Sequence, residues 1–264
     1  MSAATAPRGN LALVVENDPT NDIRRLGEWL AAAGLELAVV RAYAAEPLPG
    51  DLDSFAAVVV LGGDLDAYPD AAGTPGAPWF AELEGLLRKA VRQRVPTLAL
   101  GLGGQLLAVA HNGTVEPSPA GPEFGPALVA RRDIAERDPL FAPVPFAPDV
   151  LQWHLDEITE LPVGAVLLAA STRYPHQAFR IGDAAWGLQF HVECDTEMLA
   201  DWASGSIDLL AGSGLDPVEL LAACDAAMAD VAEVWRPFAQ RFAALALAGP
   251  AALGARLLPL LDLA

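Results

Sequence analysis

Apolar residues along this chain fall into short continuous runs, separated by longer stretches with helical spacing. Leu11–Glu16 (LALVVE), Leu35–Val40, residues 56–61 (AAVVVL) and Val95–Leu100 each have the length and content of a buried strand. Between them, Ile23–Ala33, stopped by Gly34, and Pro78–Arg92 place their apolar positions as amphipathic helices do. Strand and helix alternating at such short spacing predict an α/β fold: a doubly wound, mostly parallel sheet with helices on both faces. Ligands of such sheets sit beyond the carboxyl ends of the strands. Residues 16–19, 62–68 and 101–104 are the loops that converge there.

The second half has a different texture. Ala127–Val129, Leu151–Trp153, Ala165–Ala169, Gln177–Ile181 and Trp186–Phe190 are short strand candidates with turns between them, predicting a small antiparallel extension. The Pro-rich stretch Pro139–Pro148 reads as a loop, because strand material resumes on both sides. Residues 193–203 and Asp216–Leu247 are helical in pattern, and Gly249-Pro250 introduces a last apolar helix. The expected organisation is an N-terminal tail over residues 1–9, one domain over 10–203 and a C-terminal helical appendage over 204–264. That appendage is placed either to cover a site or to bind a partner.

Composition narrows the function classes. Hydrophobic residues make up 53% of 264, enough for a sizeable core, and no apolar run reaches the ~20 residues that span a bilayer. The first ten residues lack the apolar segment of a signal peptide, so a cytoplasmic location is expected. A formal charge of −18 repels nucleic acid and anionic membrane. Lys89 is the only lysine while Ala, Arg, Gly and Pro abound, which marks a GC-rich bacterial genome rather than a chemistry. Cys194 and Cys224 form neither a disulfide framework nor a zinc pattern, and no metal or other cofactor is expected.

The stretch that carries chemistry is the fourth strand together with the turn and helix after it. Val95–Leu100 breaks at Gly101-Leu102-Gly103-Gly104 and resumes as a helical run from Gln105 to His111. Strand, sharp glycine turn and helix is the geometry that exposes a nucleophile at the top of an α/β sheet. Position 101, at the apex, holds glycine.

That elbow, Ala99-Leu100-Gly101-Leu102-Gly103-Gly104-Gln105, and the later Gln189-Phe190-His191-Val192-Glu193 together resemble the class I glutamine amidotransferase family, its stand-alone GMP-synthase-like members in particular. The family's motifs are G-x-C-x-G-x-Q and Q-F-H-P-E. Its glycine loop matches Leu61-Gly62-Gly63, and further likeness lies in Gln152–Asp156 and Gln177-Ala178-Phe179, in order over roughly residues 10–203. The resemblance implies a cysteine that attacks the carboxamide carbon of glutamine, a histidine that takes its proton and a glutamate that orients the histidine. Carried over by position, the histidine is His191 and the glutamate Glu193. The backbone N–H groups of Leu102 and of Gly62 or Gly63 form the oxyanion hole, Gln105 shapes the glutamine pocket, and His154 lies where substrate enters. The cysteine position is Gly101; Ala99 and Val192 are milder departures.

Glycine reaches the strained backbone of an elbow without penalty, so Gly101 keeps the turn, deletes the reactive atom and is expected to leave a small space beside His191. Cys194 adjoins Glu193 but reads as a small residue opening the next helix, Cys224 as a small apolar one, and His111 and His176 have no partner pattern. Trp153 and Trp186 read as core. Three readings remain. One is a binding protein for glutamine, a γ-glutamyl compound or another small molecule, or a regulator of a partner enzyme. The second is a noncovalent hydrolase or lyase in which His191, oriented by Glu193, activates water or abstracts a proton. The third is an engineered variant of an active glutamine-hydrolysing amidotransferase. No synthetase or nucleotide-binding segment is recognisable in the chain, so any use of ammonia calls for a separate protein.

Overall fold

A computed structural model describes residues 9–249. Most of the expected tail over residues 1–9, and the expected apolar helix after Gly249-Pro250, lie outside the described residues. The order is β1 (Leu11–Glu16), α1 (Arg24–Ala32), β2 (Glu36–Arg41), β3 (Ala57–Val60), α2 (Phe80–Gln93), β4 (Thr97–Leu100) and α3 (Leu102–Val109). Then come the strands β5 (Thr114–Pro117), β6 (Glu123–Leu128), β7 (Ala130–Arg131), β8 (Asp149–His154), β9 (Asp156–Glu160), β10 (Val166–Ala170), β11 (Ala178–Ile181) and β12 (Ala185–Leu188). Helices α4 (Thr196–Gly205), α5 (Ile207–Gly212) and α6 (Pro217–Ala248) close the described chain.

The central sheet runs β2-β1-β3-β4-β12-β11-β10-β7. Its first five strands are parallel, and β12-β11-β10-β7 are antiparallel. Two ribbons, β5-β9 and β6-β8, form the small antiparallel additions. Alternation along each strand sorts side chains onto two faces. Ala12, Val14, Val59 and Leu98 pack on one side with residues of α1, α4 and α6, whereas Leu13, Val15, Val58 and Ala99 pack on the other with α2 and α3. The expected doubly wound, mostly parallel architecture is what the chain forms.

Two boundaries differ from the sequence reading in ways that shape the site. Helix α3 begins at Leu102, so Gly103 and Gly104 lie within it rather than in a loop. A Cβ on Gly103 would fall 2.3 Å from the Val60 carbonyl oxygen, and one on Gly104 2.6 Å from that of Leu188. The glycines let α3 rest directly on the ends of β3 and β12. Strand β12 stops at Leu188, and residues 189–193 leave the sheet as a bend in which His191 bridges Leu151. The strands β5, β7 and β9 escaped periodicity because they bury little. In β9, Asp-Glu-Ile-Thr-Glu, only Ile158 is fully buried.

Helix α6 is part of the main core. Trp235, Phe238 and Phe242 are completely buried in the cluster that holds Ala12, Trp186 and Phe190. Among the described residues no helix is long and apolar enough to cross a membrane.

Candidate active site

Gly101 joins β4 to α3 at φ +53° and ψ −120°. Its N–H donates to the Leu188 carbonyl at 2.9 Å, and its own carbonyl accepts the Gln105 N–H at 3.0 Å. The turn is therefore fixed from both sides. A residue with a Cβ in this conformation carries about 1–3 kcal/mol of strain. Leu102 opens α3, so its N–H has no acceptor inside the helix and points with the positive end of the helix dipole. The glycine loop abuts the elbow: a Cβ on Gly101 would stand 3.5 Å from Gly62 Cα, and one on Gly63 3.3 Å from Leu102 Cδ2. Asn17 ties the loop after β1 to the same place, donating from Nδ2 to the Leu61 carbonyl at 2.9 Å and accepting from Trp79 Nε1 at 3.0 Å.

The histidine and glutamate meet. His191 Nδ1 lies 2.7 Å from Glu193 Oε1, and Glu193 Oε2 accepts the Val192 N–H at 2.9 Å. Both side chains are buried. A carboxylate at that distance fixes the proton on Nδ1 and leaves Nε2 as the ring's free acceptor. The ring packs against Trp202, with centroids 4.8 Å apart, and the His191 backbone N–H donates to the Leu151 carbonyl at 2.8 Å. The expected space beside His191 is taken by the ring itself. A Cβ on Gly101 would come to 2.8 Å from Cε1 and 3.1 Å from Nε2. Glycine thus lets the imidazole close against the elbow.

A cavity of about 600 Å³ opens in front of this group. Gly63, Gly101, Leu102, Gln105, His154 and His191 line it, while Gly62 and Glu193 stand behind the lining. Gln105 Nε2 reaches Gln189 Oε1 at 3.4 Å. His154 is clamped: Nδ1 lies 2.9 Å from the Asp156 carbonyl, and Nε2 lies 3.0 Å from Gln152 Oε1 and 3.3 Å from Glu123 Oε2. Helix α6 does not reach the cavity; Gly205, Ser206 and Leu209, at the α4–α5 junction, do.

Sequence reasoning passed over several of the residues that shape this space. Asn21 Oδ1 and Gln189 Nε2 are buried without a hydrogen-bond partner, and both residues line the cavity. An unmet polar group of this kind costs about 1–3 kcal/mol, which a ligand that pairs with it recovers. Gln189 sits inside the Gln189–Glu193 motif, which was the available signal; Asn21 had only its place just after the loop of residues 16–19. Trp153 packs half-buried against the core and also lines the cavity, while Trp186 is fully core. His111 and His176 bond backbone carbonyls, of Leu107 and Ile158. Cys194 is buried in the core cluster with its thiol held well above the usual range by burial, and burial pushes Cys224 up to about 11. Neither cysteine lines the cavity. Among the described residues no group of three or more His, Cys, Asp or Glu is arranged to hold a metal ion.

Asp156 accepts the Tyr68 hydroxyl at 3.1 Å. Burial raises its carboxyl above the ordinary 3.8, and the charge of Asp66 adds to the effect. Burial, then the Asp156 charge, raises the Tyr68 phenol in turn. A carboxyl raised on folding contributes stability that is full below the unfolded value and lost as pH rises through the folded one. Asp156→Asn keeps the acceptor for Tyr68 and removes that loss. Thermal melts should therefore show a higher Tm than the parent at pH 7, with the difference vanishing toward pH ~3.5. A lower Tm at pH 7 would contradict this reading of Asp156.

Known proteins share this frame. The family model described as glutamine amidotransferase class-I matches residues 24–199. Gamma-glutamyl peptidase 4 of Arabidopsis thaliana is 28% identical over 157 residues, 59% of this chain and 60% of its own length. The glutamine amidotransferase-like protein YfeJ of Salmonella typhimurium is 31% identical over 170 residues, 64% of this chain and 70% of its own. GMP synthase [glutamine-hydrolyzing] of Christiangramia forsetii is 31% identical over 152 residues, 57% of this chain but 27% of that much longer protein. A solved glutamine amido transferase from Methylobacillus flagellatus superposes with a TM-score of 0.76 at 27% identity, covering 89% of this chain and 93% of its own.

Proposed function

The chain belongs to the class I glutamine amidotransferase family, and on that premise we propose that it holds a glutamine-like or γ-glutamyl ligand without cleaving it through a covalent intermediate. The observation that carries this is glycine at the apex of an otherwise furnished elbow, with His191 Nε2 3.1 Å from where its Cβ would stand. Thioester formation needs a sulfur at that apex to attack the carboxamide carbon, and position 101 has no side chain. What remains suits binding. In this reading the Leu102 and Gly62–Gly63 amides receive the ligand's carbonyl oxygen, and the unpaired Gln189 Nε2 and Asn21 Oδ1 offer a donor and an acceptor to its polar groups. The bound protein then acts as a carrier, a sensor or a regulator of a partner enzyme, and any ammonia chemistry belongs to that partner.

The test is calorimetric titration of the unmodified protein with L-glutamine and with a γ-glutamyl dipeptide, followed by chromatographic recovery of each ligand. Saturable binding with the ligand recovered intact is expected. Cleavage of either ligand at a rate that tracks protein concentration would overturn the proposal.

One observation favours a second reading. His191 has Nδ1 fixed by Glu193, while Nε2 makes no hydrogen bond among the described residues. That is the arrangement of a base able to take a proton from water without a nucleophilic side chain. Under this reading cleavage occurs and His191→Ala lowers it by about 10²-fold or more. Cleavage untouched by that substitution would end it.

A further inference from the structure

The charges lining the cavity are one-sided. Asp18, Asp64, Asp66, Asp156 and Asp201 line it, and among the described residues no arginine or lysine does. None of the five forms an ion pair among the described residues, although Arg24, Arg41, Arg88, Arg94 and Arg180 each pair with a carboxylate elsewhere. Asp18 spends its oxygens on the Thr20 N–H and hydroxyl and on the Asp64 N–H. Asp156 takes the Tyr68 hydroxyl, and the other three have no hydrogen bond that would occupy them. The basic side chains that line the cavity are His154 and His191, and each already faces a carboxylate, Glu123 and Glu193.

A second, independent feature points the same way. Asn21 is 3% exposed, lines the cavity, and has its Oδ1 acceptor unpaired. An orphan acceptor in a cavity lined by carboxylates without ion-pair partners asks for a donor-rich, positively charged ligand. Net acidity of the chain does not account for the pattern. An acidic protein still scatters its sixteen arginine and lysine residues among its carboxylates, and here a single cavity draws aspartates from four separate segments without one arginine or lysine among the described residues.

We infer that the cavity selects an amide whose far end carries a free ammonium group and rejects one whose far end carries a carboxylate, with Asp66 and Asp156 as the determinants. This rests on the γ-glutamyl reading above and names the class of ligand that reading left open. Asp66 and Asp156 line the same cavity, and Asp66 stands two residues from Tyr68, whose hydroxyl lies 3.1 Å from Asp156. A cation between them relieves the repulsion of like charges as it binds, whereas a carboxylate adds to it. Tyr68, bonded to Asp156, holds the loop of residues 62–68 against β9 and so keeps the two carboxylates on one wall.

Three γ-glutamyl amides of matched length separate the possibilities: those of 1,3-diaminopropane, n-butylamine and 3-aminopropanoate, ending in ammonium, methyl and carboxylate. In calorimetric titrations of the full chain at moderate salt, the ammonium-ended amide should bind at least ~10-fold tighter than the methyl-ended one, and the carboxylate-ended one weakest. Asp66→Asn combined with Asp156→Asn should bring the three within a factor of about three of one another. Equal binding of all three by the unmodified protein, a preference for the carboxylate end, or a preference that survives both substitutions overturns the inference while leaving the γ-glutamyl reading intact. If none of the three binds, the γ-glutamyl reading fails. The charge inference is then decided by 1,3-diaminopropane alone: saturable binding that the double variant abolishes supports it, and no binding sinks it.

Discussion

Gly101→Cys is expected to release ammonia from L-glutamine at least ~10²-fold faster than the unmodified chain. The new Cβ would stand 3.1 Å from His191 Nε2, so the thiol comes within reach of the base that Glu193 orients. The donors proposed for the oxyanion, the Leu102 and Gly62–Gly63 amides, are backbone groups whose chemistry the substitution leaves unchanged. The gain carries a structural cost. The backbone at φ +53° strains any residue but glycine by about 1–3 kcal/mol. In addition, His191 Cε1, 2.8 Å from the new Cβ, must retreat by a few tenths of an ångström while tethered to Glu193. A lower denaturation midpoint together with new ammonia release is the expected pair of results. A variant that folds and binds glutamine yet releases nothing would mean that the frame has diverged beyond its nucleophile.

Trp235→Ala is expected to cost about 3–5 kcal/mol, as large-to-small changes at fully buried aromatic positions do. Trp235 is completely buried, donates from Nε1 to the Asp149 carbonyl at 2.9 Å, and packs its ring 4.9 Å from Phe190 and 5.1 Å from Phe238. Truncation opens a cavity and orphans the Asp149 carbonyl together. The effect reaches the site through sequence adjacency: Phe190 precedes His191 in the bend after β12, so loosening one loosens the other. Denaturant titration should show the midpoint falling with little change in slope, and ligand affinity should weaken in the same variant. A loss below ~1 kcal/mol would show that α6 is an ornament on the fold rather than a support of it.

The parallel half of the fold was legible because its strands are buried on both faces and announce themselves as unbroken apolar runs, β1, β3 and β4 above all. The ribbons were not. In β9 and β5 the apolar signal shrinks to Ile158 and Val115, too little for any period to emerge. The elbow, His191 and Glu193 were visible as motifs, but the path by which the last two come together was not. They meet in a bend outside the sheet, where Glu193 folds back on the ring. Glycine's meaning was half visible. Sequence shows that a side chain is missing at 101, but only the placement of His191 shows that the imidazole has taken up the room. The acidic wall was invisible, because Asp66, Asp156 and Asp201 come from distant segments and no local pattern links them.

Whether the elbow lacks a working nucleophile is decided by covalent trapping with a chloroketone analogue of glutamine, read by intact-mass spectrometry and peptide mapping. The reagent places an electrophilic carbon where the carboxamide carbon of glutamine sits. No adduct is expected on the unmodified protein, and one adduct on Gly101→Cys, mapped to position 101 and blocked by excess glutamine. An adduct on the unmodified protein that glutamine blocks, at His191 or at Cys194, would contradict this, because the site would then hold a working nucleophile that the elbow does not supply.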